Sequence, residues 1–127
     1  MKRYFVLLLL WLFNLDYTKE YVIKERFDVV YFWTKAIVED YFVIEKIQSN
    51  RFETFPVVID DYLVKLEVIF TYNGFNTYRV LFSYQFYEIN SAGLVKTMKV
   101  SHKVWNLITA IDSDIKTKFW NKIIYDW

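Results

Sequence analysis

The chain has 127 residues, 16 basic and 15 acidic side chains, and no cysteine. That length fits one domain, able to bury about two-thirds of its unfolded surface. The missing cysteines exclude a disulfide framework, thiolate catalysis and Cys-based zinc or iron–sulfur sites, and a net charge of +1 argues against the strongly basic surface of a dedicated nucleic-acid binder.

Aromatic residues dominate the apolar set: 12 Phe, 11 Tyr and 5 Trp against 2 Gly and 1 Pro. Phe, Tyr, Met, Ile, Asn and Lys, with AT-rich codons, total 56, whereas Gly, Ala, Arg and Pro, with GC-rich codons, total 10. The bias points to an AT-rich genome: an organelle, an endosymbiont, a virus or plasmid, or an AT-rich protist. It concerns the gene and not the protein's task.

In chain order, Met1-Lys2-Arg3 and the apolar run Tyr4–Phe13 come first. They have the charged and apolar regions of a signal peptide, but Asn14-Leu15-Asp16-Tyr17-Thr18 lacks the small residues of a cleavage site. About 12 residues of helix reach about 18 Å, short of the about 30 Å of a bilayer core. The segment is read first as a core or interface element, with a secretion signal and an anchor lying at a membrane surface as the alternatives. Phe27–Trp33, aromatic and β-branched, reads as a buried strand. Trp33, Ile37, Tyr41, Ile44 and Gln48 fall at helical spacing, which predicts a helix from about Thr34 to Gln48; short strands at Ala36–Val38 and Tyr41–Ile44 compete with it. Pro56 marks a turn or the edge of Val57-Val58-Ile59.

Alternation is clearest over Tyr62–Tyr72 and Tyr78–Phe86, where the even positions are apolar and the odd ones include Lys65, Glu67, Arg79, Ser83 and Gln85. These are two half-buried strands of one hairpin. A Tyr72-Asn73-Gly74 loop with Gly74 left-handed in a bulge puts Val68 opposite Tyr78 and Leu66 opposite Val80, so both apolar faces agree. Asn90-Ser91-Ala92-Gly93 is a second turn and Leu94–Val100 a third strand. Ser101 is the expected N-cap of a helix running to about Tyr125, with Asp112-Ser113-Asp114 as a point where it could break. The fold class is therefore α+β: a single domain with an antiparallel meander around residues 62–100, packed against a C-terminal helix and preceded by an apolar segment.

Catalytic signatures are missing. Two glycines cannot form a GxGxxG or GxxxxGK phosphate loop, and GxSxG is absent. The single histidine, His102, has no HxxE or HxxxH partner and reads as a surface or capping residue. The acid pairs Glu39-Asp40, Asp60-Asp61 and Asp112/Asp114 do not converge locally, since adjacent strand residues oppose each other and i, i+2 helix residues diverge by about 200°. No catalytic residue, cofactor or metal site is expected, and no small-molecule substrate.

One feature does point outward. On a helix with Val104 at 0°, Ile108, Ile111, Ile115 and Phe119 form one stripe, whereas Trp120, Ile124 and Trp127 cluster at about 140–200° on a second face. One buried face is enough for a globular helix. Trp120, Ile124 and Trp127 are therefore the expected partner-binding residues, unless the N-terminal segment covers them. The leading functional reading is a non-enzymatic structural or accessory subunit, bound to other protein subunits of a larger assembly. An organelle-encoded, mitochondrial subunit of a membrane complex fits the codon bias, with Tyr4–Phe13 near the membrane. The alternatives are a secreted or envelope-associated binding module with a cleaved signal, or a small viral or plasmid-encoded inhibitor that acts by protein binding.

Overall fold

The structure, a computed structural model, describes residues 16–126, so the apolar segment Tyr4–Phe13 and Trp127 lie outside the described residues. The elements in order are β1 (Tyr17–Lys24), α1 (Phe27–Glu39), β2 (Ile44–Gln48), β3 (Arg51–Thr54), β4 (Val57–Ile59), β5 (Tyr62–Gly74), β6 (Thr77–Asn90), β7 (Gly93–Lys96), α2 (His102–Lys118) and β8 (Ile123–Asp126). The strands form one antiparallel sheet in the order β2-β3-β5-β6-β1-β8, with β4 beside β5 and β7 beside β6. Both helices pack on one face. The α+β architecture, the β5–β6–β7 meander and the C-terminal helix on the sheet are as the periodicity predicts, though the third strand is Gly93–Lys96 and not Leu94–Val100.

The β5–β6 hairpin is the spine. Alternation buries Val64, Leu66, Val68 and Phe70 on β5 and Val80, Phe82, Tyr84 and Phe86 on β6. Its register differs from the expected one. Val68 pairs with Phe82 and Phe70 with Val80, a shift of four residues that leaves each side chain on its predicted face. The chain reverses through Phe75-Asn76, both left-handed (φ 53° and 58°), and Gly74 (φ 86°) forms a bulge before the turn. Two positive-φ residues give the hairpin turn whose twist matches the flanking strands. Gly74 thus takes the left-handed bulge expected of it, but the reversal falls after it, at Phe75-Asn76, and not within Tyr72-Asn73-Gly74. The Thr77 hydroxyl fastens the end by donating to the Gly74 carbonyl at 2.6 Å.

Two predicted elements near the N-terminus are corrected. Phe27–Trp33 is helix, not strand, and the helix stops at Glu39, so neither a helix to Gln48 nor strands at Ala36–Val38 and Tyr41–Ile44 exist. Val30, Thr34, Ile37 and Val38 are buried at helical spacing, joined by half-buried Phe27 and Tyr31. Burial of that stripe against Phe52, Phe70 and Tyr78 outweighs the strand preference of the β-branched residues. At the other end Asp40 closes the last turn, its N–H donating to the Ile37 carbonyl. The N–H groups of Tyr41 and Phe42 donate to the Val38 carbonyl, and buried Phe42 seals the turn into β2.

The second helix buries Val104, Ile108, Ile111 and Ile115 against the sheet, and Trp105 meets Tyr17 and Phe86 edge-on. Ser101 is its N-cap by position, yet its Oγ is buried without a hydrogen-bond partner among the described residues. Asp112-Ser113-Asp114 does not break the helix, and the two acids serve different neighbours. Asp112 accepts from the Tyr21 hydroxyl and pairs with Lys116 at 3.1 Å. Asp114 accepts from the Tyr41 hydroxyl at 2.6 Å. The aromatic surplus therefore fills the interface between the helices and the sheet. Tyr84, fully enclosed there, has its hydroxyl pKa pushed up by burial, with lesser contributions from Tyr17 and Asp112.

The opposite face of the sheet carries a lattice of paired charges. Arg51 bonds to Glu67, Arg79 to Glu20, and Lys96 lies 2.8 Å from Asp16. Lys65 sits between Glu45 and Glu53. Ser83, expected among the solvent-facing residues, is instead buried and donates to Asp16 at 3.0 Å.

Candidate functional site

The predicted second helix face is not there, because the helix ends at Lys118 and not near Tyr125. Phe119 leaves the helical region (φ −111°, ψ 27°) while its ring completes the buried stripe at 3% exposure. With the ring fixed in the core, the backbone turns: the N–H groups of Lys122 and Ile123 both donate to the Phe119 carbonyl, at 2.7 and 3.1 Å. The chain then runs back along β1 as β8, pairing Ile123 with Ile23, Tyr125 with Val22 and Asp126 with Tyr21. Ile123 packs on the core.

Trp120 and Ile124 are consequently placed apart, one on the turn and one on the strand. Both are nonetheless exposed, Trp120 at 77% and Ile124 at 55%. Trp127 lies outside the described residues. β8 is also the last strand of the sheet, so its outer edge pairs with no other described strand. The far edge, β2, carries Glu45 and Lys46, charges that discourage strand addition. β8 has no lysine or proline, and its one charged residue is Asp126 at its end.

Beside the turn, a cleft of about 630 Å³ lies between the end of β1, the start of α1, the β5–β6 hairpin end and residues 121–122. Lys24, Arg26 and Lys122 line it together with Glu25, and Asn76 and Asn121 add side-chain amides. The two residues just before those asparagines are Phe75, 91% exposed, and Trp120. The sequence reading missed Phe75. The available signal was an aromatic residue set between the turn formers Gly74 and Asn76.

Two other hollows have polar groups already engaged with one another. In a cavity of about 130 Å³ between β1 and α2, Asp112 is held by the Tyr21 hydroxyl and by Lys19 at 3.9 Å. Between the helices, Lys118 lies 3.3 Å from the Trp33 ring centroid, and Asp114 is bound by Tyr41. His102 is the exposed first residue of α2. The Asp60-Asp61 pair forms the β4–β5 turn, with Asp60 left-handed (φ 54°) and 3.5 Å from Lys103. Compared with known proteins, the chain matches no family model and no curated protein.

Proposed function

We propose that the chain is a non-enzymatic structural or accessory subunit held in a larger protein assembly, and that the surface around Trp120, Ile124 and the outer edge of β8 is where a neighbouring subunit attaches. One observation carries this reading: Ile124 stands 55% exposed on a strand whose outer edge pairs with no other described strand, and the turn leading into that strand carries a tryptophan that is 77% exposed. Exposed N–H and C=O groups along such an edge accept an added strand, and large exposed apolar side chains rarely go unused. A membrane complex of an organelle is the setting favoured by the codon bias and by Tyr4–Phe13.

Affinity purification of the full chain from its native source, followed by mass determination of the intact complex, tests the reading. The expected result is stoichiometric co-elution with other subunits, lost when Ile124→Glu is introduced. A native chain that runs as a monomer removes the proposal.

A further inference from the structure

The cleft at the β5–β6 hairpin end collects positive charge that the fold does not use. Lys24 and Lys122 are neighbours there, joined by the Lys24 N–H donating to the Lys122 carbonyl at 2.8 Å. Neither has a carboxylate at ion-pair distance among the described residues. Arg26 lies 3.5 Å from Asp28, in a pair exposed enough to be screened by water. Glu25 is the one acid lining the cleft among the described residues. Like charges gathered in one cleft oppose folding, so their placement is not explained by stability.

The two flanking aromatics are not explained by stability either. Phe75 is 91% exposed and sits at φ 53°, where a bulky side chain is an outlier. Trp120 stands equally clear of the core on the other turn. A protein interface gathers its apolar residues into a central patch with a polar rim. Here the aromatics stand on two separate turns, each one residue before an asparagine of the cleft that the cations line. That arrangement matches a membrane interface, where aromatic rings settle at headgroup level and basic groups are drawn to anionic lipid.

We propose that this end of the molecule docks on an anionic phospholipid surface, with Phe75 and Trp120 entering the headgroup layer and Lys24, Arg26 and Lys122 meeting lipid phosphates. This goes beyond the assembly reading. It gives Trp120 to lipid and leaves Ile124 and the β8 edge to the neighbouring subunit.

The test is co-sedimentation of the full chain with vesicles of phosphatidylcholine alone or mixed with phosphatidylglycerol. Binding is expected only to the mixed vesicles. Lys24→Gln with Lys122→Gln should weaken it about thirtyfold at low salt, the effect of removing two surface-bound charges. Phe75→Asn with Trp120→Ser should weaken it about tenfold or more. The asparagine suits the left-handed turn, so loss of binding by this variant, with an unchanged circular dichroism spectrum, is not loss of fold. Equal binding by all variants would assign the attachment to Tyr4–Phe13 and overturn the proposal. So would binding to both vesicle types, binding to neither, or release by millimolar inorganic phosphate, which would mark a site for a free anion. A chain that co-elutes with native partners but ignores vesicles defeats this assignment alone. A monomer that binds vesicles defeats only the assembly.

Discussion

Phe119 and Trp120 are adjacent in sequence and opposite in energetic role. The first ring is 3% exposed and closes the core, the second is 77% exposed and touches little. Phe119→Ala should cost about 3–5 kcal/mol of stability through lost transfer energy and a cavity. Trp120→Ala should stay within about 0.5 kcal/mol of the parent, as an exposed substitution does. Urea melts of the two variants separate the roles directly. Thr34 offers the reverse case: its hydroxyl is fully buried in α1 with no hydrogen-bond partner among the described residues. Replacing it by isosteric valine removes an unpaired polar group, and Thr34→Val should raise stability by about 1 kcal/mol in the same assay.

Tyr41 links the end of α1 to α2 through Asp114. Its hydroxyl pKa is pushed up to about 12, first by that hydrogen bond, then by burial and the charges of Asp114 and Asp40. A raised value means the protonated hydroxyl is favoured by folding. Its contribution is therefore complete below the ordinary value of about 10 and is lost as pH rises through about 12. Tyr41→Phe should cost about 1 kcal/mol at neutral pH and flatten the alkaline fall in stability over that window, as followed by chemical denaturation at stepped pH.

At the scale of elements, the hairpin end stores a correctable cost. Phe75→Asn should stabilise the chain by about 0.5–1 kcal/mol, because asparagine tolerates the left-handed conformation. Gly74→Ala should destabilise it by about 1 kcal/mol or more: at φ 86° a Cβ is strained even with open space around it. Thermal melts of these two variants should move in opposite directions. The same hairpin shows what sequence can and cannot specify. Alternation from Tyr62 to Phe86 identified both strands and the face of each residue, because burial has period two. It left open any register shift by an even number of residues, and the choice between Tyr72-Asn73-Gly74 and Phe75-Asn76 as the reversal falls in that gap. The α1 helix was misread because Phe27, Val29, Val30, Tyr31 and Phe32 have strand preferences, and only packing of the Phe27–Tyr31–Thr34–Val38 stripe on the sheet reverses them. At the C-terminal end, the sequence carried the buried helix stripe as far as Phe119 correctly. Trp120 and Ile124 continued a helical spacing by coincidence, since the pairing of β8 with β1 joins residues about a hundred positions apart.

For the molecule as a whole, the aromatic surplus divides into two populations. Most rings lie between the helices and one face of the sheet, so their abundance alone says little about partners. A few, Phe75 and Trp120 foremost, stand where burial gives no reason for them. Of the residues proposed for attachment, Trp120 and Ile124 were legible from their apolar character near the C-terminal end, though for a geometry that does not occur. The cationic cleft was not legible, because Lys24, Asn76 and Lys122 meet only through the sheet. The opposite face, with Arg51, Lys65, Arg79 and Lys96 all matched to acids, should respond little to salt. Lys24 and Lys122 have no such match among the described residues, and their mutual repulsion eases as ionic strength rises. Lys122→Glu should therefore stabilise the isolated chain at low salt by about 0.5 kcal/mol and lose most of that gain in molar salt, measured by urea midpoints.

The pairing of β8 with β1 also orders events during synthesis. The strand that flanks β1 cannot be laid down until residue 126 has been made, by which time β1 has long since left the ribosome. Throughout that interval the side of Val22 and Ile23 that faces away from β6 lacks its β8 partner, and a nascent neighbour on the same message offers the same unclosed strand. Crowded translation would then favour exchange of C-terminal strands between sister chains, a hazard that slower initiation or an early-binding chaperone would relieve.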